Sequence, residues 1–287
     1  MSQPPLLTLT DIINAALRED MPDGDVTTNL MVSLPSVTSA RLISKEAGIF
    51  YGAEVIDEVC RIVDSQIEIT HHIGNGSPVQ KDDVITEFKG LDSSLLIAER
   101  VMLNFAQRLS GIATRTRSFV DRLDSPTIHV LDTRKTTPLF RFLERRAVVA
   151  GGGFNHRLNL SEMVLIKENH LSSFLSKNQV SRLPVMFSSF KAFFPEIPIE
   201  IEIETLDQLR QFELSRVDCI LLDNFSLEDI PTAVQICKDR GFRAQIEVSG
   251  NVTLETIALY RDLPIQRISV GALTHSVPAL DLSLLFG

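Results

Sequence analysis

The chain has 287 residues, enough for one large barrel or two modest domains. Its formal charge of −9 argues against a general nucleic-acid or membrane-surface binder, because long-range attraction of a polyanion needs a positive field. Hydrophobic residues make up 44% of the chain, mean hydropathy is +0.11, and no run approaches the roughly 20 apolar residues of a membrane span.

The amino-terminal stretch lacks a basic segment followed by an apolar core, so it is not read as a signal peptide. Residues 8–19, "TLTDIINAALRE", place Leu9, Ile12, Ile13, Ala16 and Leu17 at helical spacing, with Thr10 or Asp11 as the expected N-cap. Pro22 and Gly24 then break the helix. Between 38 and 90, short alternating runs ("SARLISKEAGIFYG", "QIEITHHI", "DVITEFKG") separated by glycines predict an antiparallel sheet. Residues 93–124 read as one long helix, with Gly111 as a candidate bend. Cys60, Cys219 and Cys237 are scattered, without metal or disulfide spacing, and read as buried thiols of a cytoplasmic protein.

From residue 127 the pattern changes. Six apolar runs end in polar residues or glycine: "IHVLDTRK", "MVLIKENH", "IPIEIEIET", "CILLDNF", "AQIEVSGN" and "RISVGAL". Helix-like stretches such as "LDQLRQFEL", "EDIPTAVQICKDRG" and "LETIALYRD" lie between several of them. Repeated βα units predict a parallel sheet, either a closed or nearly closed barrel somewhat short of eight strands or a doubly wound open sheet. In a barrel the strand ends carry the chemistry. Those ends hold Arg134, Lys135, Lys167, Glu202, Glu204, Asp223, Ser249, Gly250 and Gly271.

Two features stand out. In "IEIEIE", period two puts Glu200, Glu202 and Glu204 on one face, where buried carboxylates need cations or a metal opposite them. A solvated edge strand is the plain alternative. The segment 130–157, "VLDTRKTTPLFRFLERRAVVAGGGFNHR", gathers Arg134, Lys135, Arg141, Arg145, Arg146 and Arg157, with Glu144 as the one anion after Asp132. Its glycine run suits close backbone approach to a ligand, or a flexible turn. Lys167 reads as a site lysine or a surface one, and His156 alone as a structural hydrogen-bonder. Together the strand ends describe a barrel pocket with several cations, at least two carboxylates and a phosphate site, suited to a substrate bearing carboxylate and phosphate groups.

The motifs "EDMPDGDVTT", "AERVMLNFAQRLSGIAT", "DTRKTTP", "GGGFNHRLNL", "LIKENH", "LLDNF" and "SVGALTHSVPALDLSL" resemble the quinolinate phosphoribosyltransferase family nearly end to end. The resemblance implies an α/β fold. An N-terminal open-faced sandwich over 1–112 is joined by the tail 275–287, and an incomplete parallel β/α barrel of six or seven strands covers 113–274. It implies transfer of a phosphoribosyl group from 5-phosphoribosyl 1-diphosphate to quinolinate with loss of CO₂ and diphosphate, giving nicotinate mononucleotide for NAD synthesis. Arg134, His156, Arg157 and Lys167 would line the quinolinate pocket, with Lys135 towards the donor. Arg100 would reach in from the second subunit of a homodimer. Glu202 and Asp223 would hold the ribose hydroxyls and Mg²⁺, directly or through water. Ser249, Gly250 and Gly271 would cradle the 5′-phosphate. Lys135, Lys167, Glu202 and Asp223 are the expected catalytic groups. No nucleic-acid or membrane partner is implied. The chain departs from the family pattern at Leu139, where glycine is usual. A molybdenum-transport-associated paralogue is the nearest rival; a Schiff-base aldolase using Lys167 and a non-catalytic effector-binding barrel are others.

Overall fold

The computed structural model describes residues 7–175 and 180–287, so the first six residues of the amino-terminal stretch lie outside it. It contains two compact units. Met1–Arg117, Thr137–Gly152 and Ser276–Gly287 group as the first, and Ser118–Thr136 with Gly153–His275 as the second. Among the described residues, no helix is long and apolar enough to cross a membrane.

The first unit opens with α1 (Leu9–Asp20). Its cap is Thr8, two residues earlier than Thr10, because Asp11 then stands at the third helical position and returns the bond: Thr8 Oγ1 accepts from Asp11 N at 3.2 Å, and Asp11 Oδ2 from Thr8 N at 2.8 Å. Such a capping box is worth about 1 kcal/mol. Next come α2 (Val26–Met31), β1 (Val37–Ser44), β2 (Gly48–Ile49), α3 (Ala53–Val63), β3 (Glu68–His71), β4 (Pro78–Val79) and β5 (Val84–Leu91). The carboxyl-terminal strand Leu282–Phe286 pairs with β1, β1 with β5 and β5 with β3, all antiparallel. Alternation along β5 buries Ile85, Thr86 and Phe88 and exposes Glu87 and Lys89, apart from one bulge opposite Leu42/Ile43.

Helix α4 (Asp92–Leu123) runs through Gly111 without interruption. That glycine serves contact: an added Cβ would lie 2.2 Å from Pro278 O, where the carboxyl-terminal tail crosses the helix. Gly151 does likewise, its missing Cβ falling 2.4 Å from Ala113 O. The glycine run therefore presses on α4 at this position, and the expectation of a ligand there does not hold for Gly151.

The expected boundary at 112/113 falls inside α4, and residues 137–152 group with the first unit. Side chains give the reason. Within this segment, α5 (Arg141–Ala150) buries Leu143, Ala147 and Val148. Phe140 stacks on Phe105 at 5.1 Å between ring centres. The fully buried Glu144 takes Arg108 Nη2 at 3.0 Å and the Thr137 N–H at 3.1 Å. Removing any partner of such a buried charge is expensive.

The second unit contains β6 (His129–Leu131), β7 (Val164–Ile166), β8 (Ile199–Ile203), β9 (Cys219–Asp223), β10 (Gln245–Ser249) and β11 (Arg267–Ser269). These are the six apolar runs. They pair in parallel, each from β7 to β11 with its successor, and β11 returns to β6. Phe154 adds a parallel bridge to Leu131 on the other side of β6. An incomplete barrel has this strand order; a doubly wound sheet would reverse direction at a switch point. Crossovers include α6 (Glu168–Leu175), α7 (Leu183–Phe193), α8 (Leu206–Gln211) and α9 (Asp229–Asp239), with α10 (Ala272–His275) after β11. Between β10 and β11 the expected helix is a single 3₁₀ turn, Ile257–Tyr260.

Leu139 keeps the glycine conformation, with φ of +66° and 65% exposure. A left-handed L-residue is strained by about 1–2 kcal/mol, against about 0.4–1 kcal/mol gained by restricting the unfolded chain relative to glycine. Leu139→Gly should therefore raise stability by about 0.5–1 kcal/mol, read as a higher urea midpoint at unchanged slope. A loss of stability would show that the leucine side chain holds the segment.

Candidate active site

Parallel strands that share one direction send their carboxyl ends to one face of the barrel. The second unit has a cavity of about 750 Å³ on that face. Arg134, Lys135, His156, Arg157, Lys167, Glu202, Asp223, Ser249, Gly250 and Gly271 all line it. Arg100 lies on α4 in the first unit, exposed, with Nη2 4.0 Å from Glu99. Of the cation-rich segment, Arg134, Lys135 and Arg157 line the cavity, whereas Arg141, Arg145 and Arg146 lie on α5 in the first unit.

One side of the cavity is cationic. Arg157 donates Nη1 to Met163 O at 3.0 Å. Burial, and then the charge of Arg134, bring its pKa below the usual arginine value. Arg134 and Lys135 have no carboxylate partner among the described residues. Lys135 runs past Gly271, where a Cβ would stand 3.0 Å from its Cδ, and its carbonyl accepts the Thr274 hydroxyl at 2.7 Å. Crowded guanidinium and ammonium groups in a concave site make a receptor for an anion.

The other side carries carboxylates. Glu202 is 5% exposed and takes Lys167 Nζ at 3.2 Å. Burial raises its pKa, Lys167 opposes this, and Asp223 raises it further. Asp223 is clamped: Ser249 Oγ donates to Oδ1 at 2.5 Å and Asn224 Nδ2 to Oδ2 at 2.7 Å. Glu200 is buried deeper on the same face of β8, while Glu204 lies exposed beyond the strand end, so only two of the three glutamates face inward as buried groups.

Comparison with known proteins reads the same way. Residues 25–110 match the family model for the N-terminal domain of quinolinate phosphoribosyl transferase, and 112–285 that for its C-terminal domain. The chain belongs to the quinolinate phosphoribosyltransferase family. It is 38% identical to the probable nicotinate-nucleotide pyrophosphorylase [carboxylating] of Bacillus subtilis, over 97% of this chain and 93% of that one. The chloroplastic nicotinate-nucleotide pyrophosphorylase [carboxylating] of Arabidopsis thaliana is 36% identical, over 98% and 83% respectively. The solved structure of the Francisella tularensis nicotinate-nucleotide pyrophosphorylase superposes with a TM-score of 0.88 at 36% identity, covering 100% of both chains.

Sequence reasoning passed over Asn224, Asn251 and Thr253, which also line the cavity of this family member. The signal was present in "LLDNF" and "SGN", since asparagine is among the few residues that tolerate a left-handed backbone. Asn224 has φ of +56° and Asn251 of +50°. Asn224 donates its N–H to Ser249 O at 2.9 Å, and its Oδ1 accepts from Asn251 at 3.3 Å. Gly250, at φ +92°, leaves the notch that its side chain fills: a Cβ there would fall 2.1 Å from Asn224 Oδ1. Gly250→Ala should therefore lose about 2 kcal/mol by urea unfolding. Adding Asn224→Gly should return part of that loss; no recovery would place the strain in the glycine backbone alone.

Proposed function

We propose that this chain joins quinolinate to 5-phosphoribosyl 1-diphosphate, releasing diphosphate and CO₂ to leave nicotinate mononucleotide for NAD synthesis. The observation that carries the reading is the cation crowding at Arg134, Lys135, Arg157 and Lys167 opposite Glu202 and Asp223 in one cavity. Adjacent carboxylates on a flat ring suit planar guanidinium forks, which bind them bidentately. Arg134, Arg157, Lys167 and His156 take the acid groups, and Lys135 lies towards the phosphoribosyl donor. Ser249, Gly250 and Gly271 offer the hydroxyl and backbone N–H groups that a 5′-phosphate needs.

The donor set also fits magnesium. Glu202 and Asp223 are hard oxygen ligands, and burial together with the charge of Asp223 raises the pKa of Glu202, a situation that a bound cation relieves. When bound there, magnesium supplies neutralisation of the departing diphosphate. The chain's own groups do the rest. Glu202 and Asp223 hold the ribose hydroxyls and stabilise positive charge as the bond from C1 to diphosphate lengthens. The pocket cations hold the pyridine nitrogen against C1, so that the new C–N bond forms in a near-attack arrangement. Quaternised, the ring stabilises the electron pair left at C2 when the 2-carboxylate departs as CO₂, and C2 then takes a proton from water.

A dicarboxylate should be strongly preferred to a monoacid, because a monoacid leaves part of the cation cluster of the cavity without an anion. Product formation from quinolinate should exceed that from nicotinate by at least about 100-fold in kcat/KM. Comparable turnover of the two acids would sink the assignment.

The homodimer is part of the proposal, with Arg100 completing the site of the other subunit. Arg100→Ala and Lys167→Ala should each be nearly inactive. Mixed with full subunit exchange, half of the dimers carry one intact site each, so activity should approach about a quarter of wild type. Baseline activity after exchange confirmed by mass spectrometry would remove Arg100 from the partner's site.

A further inference from the structure

Period two in "IEIEI" puts Glu200 on the same barrel face as Glu202, one layer towards the amino ends of the strands. Glu200 is fully buried, and so is Glu247 on β10. An oxygen of each stands beside His156 Nε2, at 3.2 Å for Glu200 and 3.3 Å for Glu247. Arg267, on β11, brings Nε to 2.8 Å from the other Glu247 oxygen. His156 belongs to this cluster and to the cavity lining at once, and its backbone N–H is fixed to Asp132 Oδ1 at 2.7 Å.

The two carboxyl groups differ: burial and the charge of Glu247 raise the pKa of Glu200, whereas His156 and Arg267 overcome burial and lower that of Glu247. Arg267 and His156 are the basic groups that face them. The donor atoms of His156, Glu200 and Glu247 also lie within 4.8 Å of one another, as ligands of a metal would. Charge balance decides between these readings. Arg267 already stands against Glu247, and the raised pKa of Glu200 lessens the charge of the pair, so a divalent cation would add surplus charge beside a guanidinium. Stability alone does not account for the cluster either, since apolar side chains of similar volume are usually as stable in such a place.

We propose that Glu200 and Glu247 are positioning residues for the dicarboxylate subsite, holding the His156 ring from inside the barrel so that an acid group meets a fixed, positively charged ring at the pocket floor. This rests on the quinolinate reading above. Burial works against the charged ring, but hydrogen bonds and charge from Glu200 and Glu247 overcome it and lift the His156 pKa to about 9. The Arg157 N–H, 2.8 Å from Nδ1, favours the neutral ring. That bond is lost when Nδ1 takes a proton, a cost set against the full charge of Glu247 in a dry interior. On β9 the buried Cys219 thiol, pushed up by burial and by both carboxylates, adds no charge. On the pocket side stand Arg157 and Arg134, whose charges disfavour a third cation until an anion arrives. With the folded pKa above the ordinary 6.5, the charge is fully present below that value and is lost as pH rises through about 9.

Imidazole ¹⁵N NMR, assigned by difference against His156→Gln, combined with steady-state kinetics tests the proposal. In wild type the ring should be doubly protonated at neutral pH, and the quinolinate KM should climb as it deprotonates near pH 9. Glu247→Gln should lower the ring's titration by roughly a unit and raise the quinolinate KM about tenfold, with little change in the KM for 5-phosphoribosyl 1-diphosphate. Glu200→Gln is the parallel variant should Glu247→Gln fold poorly. In a His156→Gln background neither substitution should raise the quinolinate KM further. The proposal is overturned by a singly protonated ring at neutral pH, by equal changes in both KM values, or by an effect that persists without His156. Zinc binding that Glu247→Gln abolishes would overturn it in favour of a metal site. If wild type does not turn over quinolinate, the functional reading fails, and the NMR arm still decides whether the two carboxylates hold His156 charged.

Discussion

Parallel pairing along an incomplete barrel of strands is the constraint from which the site follows. Side chains alternate strictly, so any residue two positions from a pocket residue is also turned inward. Asp223 in the cavity puts Leu221 on the same face of β9, and Glu202 does the same for Glu200. Ser249 does so for Glu247 and Ser269 for Arg267. Register then selects neighbours: Ser249 stands level with Asp223, and Glu247 with Arg267. The barrel thus carries two polar layers. The upper one is open and holds cations without a carboxylate partner; the lower one is sealed, with Arg267 and His156 facing its two glutamates. His156, entering from the segment after Phe154, is common to both.

Much of this was legible in the sequence. The six strands of the barrel were visible because a strand buried on both sides must be a continuous apolar run, and each run stops at the polar residues of the open face. Ten cavity residues were readable from those stops together with the family motifs. The partners of Glu200 were not. Alternation says which way a glutamate points, but what stands opposite depends on strand order and on the path of the His156 segment, neither of which leaves a local pattern. Glycine had the same ambiguity. Gly111 and Gly151 were legible as special positions, but a hinge, a ligand contact and a close backbone crossing require the same missing Cβ. For 137–152 the obstacle was similar. An amphipathic helix shows that it has an apolar face without showing which unit that face covers, and the pairing of Glu144 with Arg108 became evident only from the packing.

The contrast between the whole molecule and its cavity has an energetic meaning. A chain with a formal charge of −9 repels anions at a distance, so affinity for an acidic substrate must arise within the pocket. There the cations are already in conflict. Burial and Arg134 weaken the hold of Arg157 on its proton, and Arg134 and Lys135 have no carboxylate partner among the described residues. Arg134 and Lys135 are exposed, so solvent softens this repulsion without removing it. An arriving anion relieves that tension as well as making its own contacts, and a ligand lacking the second carboxylate relieves only part of it. On the proposed reading, selectivity for a dianion draws on relief of that repulsion as well as on the contacts of the bound acid.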